Sequence, residues 1–189
     1  MKKILLFGAG KSASVLIDYL LTQSGENNWK IIIADANKKL VEEKTKNHPN
    51  SEAIELDINN ETKRRELVSA ASIVISMMPP ALHILIAKDC IHFGKNLLTA
   101  SYADDEIKAL GDQLKEKGIL FLCEMGLDPG IDHMSAMQLL DEIKATGGVV
   151  NSFKSHCGGL IAPESDDNPW HYKITWNPRN IVLAGKAGA

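Results

Sequence analysis

The sequence predicts an α/β fold, a doubly wound parallel sheet followed by the start of a second α/β substrate domain. Three observations predict it. Short apolar runs alternate with longer amphipathic stretches from the N-terminus to about Leu122, the pattern of repeated strand and helix units. Those runs are mostly continuously apolar, as strands buried on both faces of a parallel sheet must be. A glycine-rich turn follows the first run directly and opens the first helix.

Element by element, strands are expected at residues 4–7, 29–34, 53–56, 73–76, 96–99 and 119–122. Each is a short run bounded by polar or turn-forming residues. Helices are expected at 11–22, 38–46, 61–70, 81–92 and 104–117, where apolar residues recur at helical spacing with few breakers. Right-handed crossovers between parallel strands then place helices on both faces. After Glu124 the texture changes to a Gly- and Pro-containing turn at 126–130, a helix at 131–145, a strand at 149–155 and a polar stretch at 158–169. The expected division is a dinucleotide-binding domain at 1–125 and the beginning of a substrate and dimerisation domain at 126–189.

Composition narrows the function classes. With 44% hydrophobic residues, 24% charged residues and a net charge of −3, nothing suggests a disordered chain or a nucleic-acid partner. The three cysteines are odd in number and widely spaced, which fits a reducing compartment and no disulfide or zinc framework. Four apolar residues ending at Gly8 are too few for a signal peptide core. No run approaches the roughly 20 apolar residues of a membrane span. A cytoplasmic protein without a membrane partner is the expectation.

Gly8-Ala9-Gly10-Lys11-Ser12-Ala13 lies between the first strand and first helix, matching the Rossmann-type dinucleotide fingerprint with alanine as the third small residue. Gly8 permits the tight turn, Gly10 lets backbone approach a pyrophosphate, and Ala13 brings the helix close to the sheet. Asp35 ends the second strand, where a carboxylate can accept from the adenosine ribose hydroxyls; its plainer role is a helix N-cap. With Asp35-Ala36-Asn37 and no arginine to meet a 2′-phosphate, NAD is the expected cofactor. Lys38 and Lys39 leave NADP open. Asp57 and the segment Ser76-Met77-Met78-Pro79 fall at carboxyl ends of strands, where such cofactors lie.

Four further segments carry a resemblance: Thr99-Ala100-Ser101-Tyr102, Glu124-Met125-Gly126-Leu127-Asp128-Pro129-Gly130-Ile131-Asp132-His133-Met134, Cys157-Gly158-Gly159-Leu160, and Asn168-Pro169 with Tyr172-Lys173. Through them the chain resembles the glutamate-forming saccharopine dehydrogenases, most closely the dehydrogenase half of bifunctional lysine-degrading enzymes. The resemblance implies NAD as cofactor, saccharopine as substrate and a homodimer at full length. It also implies that Ala9, Gly10, Lys11, Ser12, Asp35, Ala36, Asn37, Asp57, Ile58, Met78, Ala100, Leu127 and Asn177 touch cofactor. Ser101, Tyr102 and Asp128 would touch saccharopine. The chain departs from the family at Ile161, where proline is usual, and at His156, where tyrosine is usual. Family members continue further and include an arginine expected to clamp a substrate carboxylate, so a truncated, inactive chain is expected.

Saccharopine oxidation needs a hydride acceptor, a deprotonated amine and water to complete C–N cleavage, and the cofactor carries the hydride. Asp128 is the candidate for proton transfer and Tyr102 for hydrogen-bond donation, although an aspartate in such a turn also serves by bonding its own backbone. Asp132 and His133 lack a third ligand at metal spacing, so an N-cap and a polar helix residue are expected and no metal is assigned. Two other readings stay open: an NADPH-linked reductase of lysine synthesis, and a non-catalytic dinucleotide sensor.

Overall fold

The computed structural model describes residues 1–156 and 161–173. Asn177 and residues 157–160, on which expectations were placed, lie outside the described residues. Two compact units are present, Met1–Asp141 and Glu142–Ala189.

The first unit holds a six-stranded sheet of β1 (Lys2–Phe7), β2 (Trp29–Asp35), β3 (Ser51–Glu55), β4 (Ile73–Ser76), β5 (Leu97–Thr99) and β6 (Phe121–Leu122) in the order β3-β2-β1-β4-β5-β6. Every strand pair is parallel. The order reverses between β1 and β4, and ligands of such sheets bind outside the carboxyl ends at that reversal.

Burial on both faces explains the strand composition. Along β1, Leu5 and Phe7 enter one core with Val68, Ile86, Ala87 and Cys90. Ile4 and Leu6 point the other way and pack with Ile17, Leu20, Leu21 and Val41. The second core covers the sheet with α1 (Ser14–Ser24) and α2 (Lys38–Thr45); the first covers it with α3 (Glu61–Ala70) and α4 (His83–Phe93). Removing a buried Leu or Ile side chain from water is worth about 1.5–3 kcal/mol, so these alternating strand residues fix the sheet between its helices.

Caps set the helix starts. Asn37, Asn60 and Asp104 accept from the backbone N–H of Leu40, Lys63 and Ile107, satisfying donors that a first helical turn leaves open. The N-cap of α2 is therefore Asn37 and not Asp35. The helix expected at 104–117 divides into α5 (Asp105–Lys108) and α6 (Gly111–Lys117). Ile107 and Leu110 both reach the core across this break, and Gly111 is a weak helix former. The helices expected at 11–22 and 81–92 each begin with a 3-10 turn, at Lys11–Ala13 and Pro80–Leu82.

The helix expected at 131–145 is present as α7 (Ile131–Ala145). The strand expected at 149–155 is not formed. Its valines and Phe153 are apolar at strand-like spacing, but a strand exists only where a neighbour takes its backbone hydrogen bonds, and none among the described residues does. No described helix is long and apolar enough to cross a membrane.

Candidate dinucleotide and substrate site

The glycine turn sits at the carboxyl end of β1, on the edge where the strand order reverses. Gly8 has φ +94, and a Cβ there would meet the Met77 carbonyl oxygen at 3.0 Å and Met78 Sδ at 3.3 Å. Glycine is required by backbone shape and by crowding together. At Gly10 a Cβ would meet nothing within 4 Å, so its bareness serves no internal packing and leaves open space above the turn. Ala13 is buried in the helix-facing core, the close packing expected of the third small residue.

Neighbouring elements hold this loop. Asp35 at the end of β2 accepts from the Ala9 N–H at 2.7 Å through Oδ2 and from the Asn37 N–H at 2.8 Å through Oδ1. Lys44 on α2 donates to the Gly10 carbonyl at 2.6 Å and to Ser14 Oγ at 2.8 Å. Sequence reasoning missed Lys44, because a lysine on a polar helix face usually marks only a solvated surface.

Beside the loop, Asp35, Ala36, Asp57, Ile58 and Met78 line one cleft of about 280 Å³ with Phe7, Ala34, Glu55 and Leu56. Five expected cofactor residues thus converge. Its floor is braced from below: Arg64 donates to the Ile58 carbonyl at 2.6 Å and through Nε to Asp89 at 2.6 Å. Asp57 accepts from the Asn59 N–H at 2.9 Å, which turns the chain out of β3 toward α3. The open space at Gly10, the cleft beyond Asp35 and the exposed backbone at the start of the first helix fit a dinucleotide.

Across the reversal, the loops after β5 and β6 meet. Ser101 and Thr99 carbonyls accept from Glu124 and Met125 N–H groups at 3.0 and 3.1 Å, and Glu124 Oε1 accepts from the Ala103 N–H at 3.3 Å. Gly126 lies against Ala100, where a Cβ would come within 3.3 Å of Ala100 Cβ. At Gly130, with φ +149, a Cβ would collide with the Gly126 backbone. The turn between them closes through Gly126 N–H to Pro129 O at 2.9 Å and contains a cis Asp128-Pro129 bond. Leu127 is exposed on it.

That turn presents Asp128 to Tyr102. The phenol donates to Asp128 Oδ1 at 2.8 Å, a contact between two loops. The bond to Asp128, with desolvation and the charges of Asp128, Asp132 and Glu124 behind it, pushes the Tyr102 pKa up to about 12. Tyr102 is therefore a persistent proton donor. Asp132 lies one residue inside α7 and does not precede it; its carboxylate accepts from the Gly130 N–H at 2.9 Å and meets His133 Nδ1 at 2.7 Å. A carboxylate is equally useful there, within the first turn of the helix.

Ser101 completes the group. Its Oγ lies 2.9 Å from Nε2 of His83, which is 3% exposed at the start of α4. Nothing in the sequence separated His83 from the other five histidines.

Two family models match this chain: the saccharopine dehydrogenase NADP binding domain over residues 4–122, and the saccharopine dehydrogenase C-terminal domain over residues 126–189. The chain belongs to the saccharopine dehydrogenase family. The NADP(+), L-glutamate-forming saccharopine dehydrogenase of Schizosaccharomyces pombe is 38% identical over 184 residues, 97% of this chain and 40% of that one. The mitochondrial alpha-aminoadipic semialdehyde synthase of Bos taurus is 37% identical over 183 residues, 96% of this chain and 19% of that one. The apo L-Glu-forming saccharopine dehydrogenase structure from Saccharomyces cerevisiae superposes with a TM-score of 0.85 at 34% identity, covering 97% of this chain and 40% of that one. The chain thus spans well under half the length of these relatives. Its Rossmann-type, nicotinamide-dinucleotide-binding fold is that of the family.

Proposed function

We propose that this chain supplies the dinucleotide site and part of the substrate site of an oxidoreductase that cleaves saccharopine at its secondary amine, giving glutamate and 2-aminoadipate 6-semialdehyde. The contact that carries the reading is Tyr102 to Asp128, which joins two loops at the carboxyl edge of the sheet beside the dinucleotide cradle. In the bound state the nicotinamide supplies the hydride acceptor for the oxidised C–H bond.

The chain's own residues handle charge and protons. Tyr102 occupies Asp128 Oδ1 and leaves Oδ2 without a hydrogen bond among the described residues, so that oxygen can take the proton of the substrate ammonium. Asp128, Asp132 and Glu124 together make a negative surface around Tyr102, which favours a cationic amine of the substrate over its carboxylates. Tyr102, holding its own proton far above neutral pH, orients the carboxylate and does not compete as a base.

Cofactor choice follows Asp35. Its oxygens are fixed by Ala9 and Asn37 N–H groups and remain able to accept from ribose hydroxyls, whereas a 2′-phosphate would face like charge. At an effective dielectric near 20, unit charges about 4 Å apart interact by roughly 4 kcal/mol before screening, against about 1.4 kcal/mol for a tenfold preference. The family model and the fungal relatives are named for NADP, so we assign NAD on the carboxylate alone. Titration of both cofactors tests it, with Asp35→Ser/Ala36→Arg expected to reverse the order; an unsubstituted protein that prefers NADP overturns it. For the reaction, saccharopine-dependent reduction of the nicotinamide with release of glutamate is the expected result for a protein of the relatives' full length that carries this segment, and dinucleotide binding without any response to saccharopine is the contrary one.

A further inference from the structure

Beneath the substrate loop lies a buried polar chain that neither the dinucleotide cradle nor the Tyr102 and Asp128 pair uses. Ser76 Oγ at the end of β4 is 2.8 Å from His83 Nδ1. On the other side of the ring, Nε2 is 2.9 Å from Ser101 Oγ and 3.2 Å from Thr99 Oγ1. Ser76, His83 and Thr99 are all buried, Ser76 completely.

The direction of these hydrogen bonds follows from burial. Two buried hydroxyls face the ring, Ser76 Oγ at Nδ1 and Thr99 Oγ1 at Nε2. A neutral ring accepts from only one of them, and the shorter contact, 2.8 Å against 3.2 Å, gives the acceptor to Nδ1. A neutral imidazole has one N–H, which must sit on Nε2. Desolvation by burial lowers the His83 pKa and outweighs the opposing charge of Asp104, keeping the ring neutral near pH 7. Thr99 Oγ1 already accepts from the Ser101 N–H at 3.2 Å, which leaves Ser101 Oγ as the nearer acceptor for Nε2–H. Once Ser101 Oγ accepts, its own O–H is free to point away from the ring.

We propose that His83 is a positioning residue: as the Nε2–H tautomer it donates to Ser101 Oγ and turns the Ser101 hydroxyl hydrogen outward, onto a carboxylate oxygen of the bound substrate. The ligand half of this rests on the function proposed above; the tautomer half does not. No proton is transferred and no charge is created, so the relay acts through orientation. Without it, Ser101 would spend its hydrogen on the histidine and offer an anion only lone pairs.

Two measurements test the relay. Long-range proton–nitrogen NMR on the nitrogen-15-labelled protein reads the His83 tautomer directly: a neutral ring protonated at Nε2 is expected, and a ring protonated at Nδ1 overturns the proposal. The second compares His83→Gln, whose amide reaches the Nε2 position, with His83→Asn, whose amide reaches only Nδ1. With the dinucleotide saturating, saccharopine affinity should stay within about threefold in the Gln variant and fall about tenfold in the Asn variant, the span of one hydrogen bond. Dinucleotide affinity should be unchanged in both. Equal saccharopine affinity in the two variants, or loss of dinucleotide binding instead, contradicts the assignment. If the variants do not fold, the tautomer of the unsubstituted protein still decides. Absence of saccharopine binding by the unsubstituted protein would strike the substrate assignment, while the tautomer would independently uphold or refute the relay.

Discussion

Two glycines two residues apart do different work in the same loop. Gly8 is held at positive φ against the Met77 carbonyl, while Gly10 has φ −61 and open space where a side chain would go. Gly8→Ala should therefore lower the thermal midpoint and weaken dinucleotide binding together. Gly10→Ala should fold with an unchanged midpoint and lose about tenfold or more in dinucleotide affinity, because its methyl enters the space the phosphates need. Equal thermal losses in both variants would refute the distinction. Both glycines, Ala13 and Asp35 were legible in the sequence, since a turn between strand and helix constrains residue type at fixed spacing. His83 and Lys44 were not legible: each acts through a partner far away in sequence, Ser101 and Gly10, and only the fold brings those partners near.

At the scale of elements, the cleft floor depends on a contact between two helices. Arg64 of α3 and Asp89 of α4 form a buried pair, each side chain 7% exposed, and Arg64 also holds the Ile58 carbonyl. Removing one partner of a buried pair leaves the other charge uncompensated, typically at about 3–5 kcal/mol. Asp89→Ala should cost about that much in denaturant unfolding and loosen the Asp57 and Ile58 segment. Replacing both residues by apolar ones should recover much of the stability but not the bond to Ile58. A single Asp89→Ala variant as stable as the parent would mean that this pair does not hold the two helices together. Apolar periodicity marked α3 and α4 correctly, but not their pairing, because a charged residue on a helix is usually read as facing water. The split between α5 and α6 was hidden for a related reason: Ile107 and Leu110 fit helical spacing, and both reach the core across the break.

For the molecule as a whole, acid stability should carry the mark of His83. Its folded pKa lies below the ordinary value of 6.5, so the unfolded chain binds the proton more readily. The stability contributed is complete above pH 6.5 and is lost as pH falls below that value through the folded pKa. His83→Gln should flatten the decline between pH 6.5 and the carboxylate range near about 4; an unchanged slope would mean the ring is not held neutral. The sheet, its doubly wound order and the edge that carries the site could be read from the alternation of apolar runs, because burial on both faces leaves a plain compositional trace. Residues 149–155 show the limit of that reading, since strand-like composition names no partner strand. On the proposed function, the loops bearing Ser101, Tyr102 and Asp128 bind saccharopine next to a dinucleotide held by the Gly8 to Ala13 turn. Calorimetric titration of saccharopine into the dinucleotide-saturated protein, beside its Asp128→Asn variant, tests this most directly. Saturable binding that weakens at least about tenfold in the variant, with dinucleotide affinity unchanged, is the predicted result; saccharopine affinity that is absent or indifferent to Asp128 would contradict it.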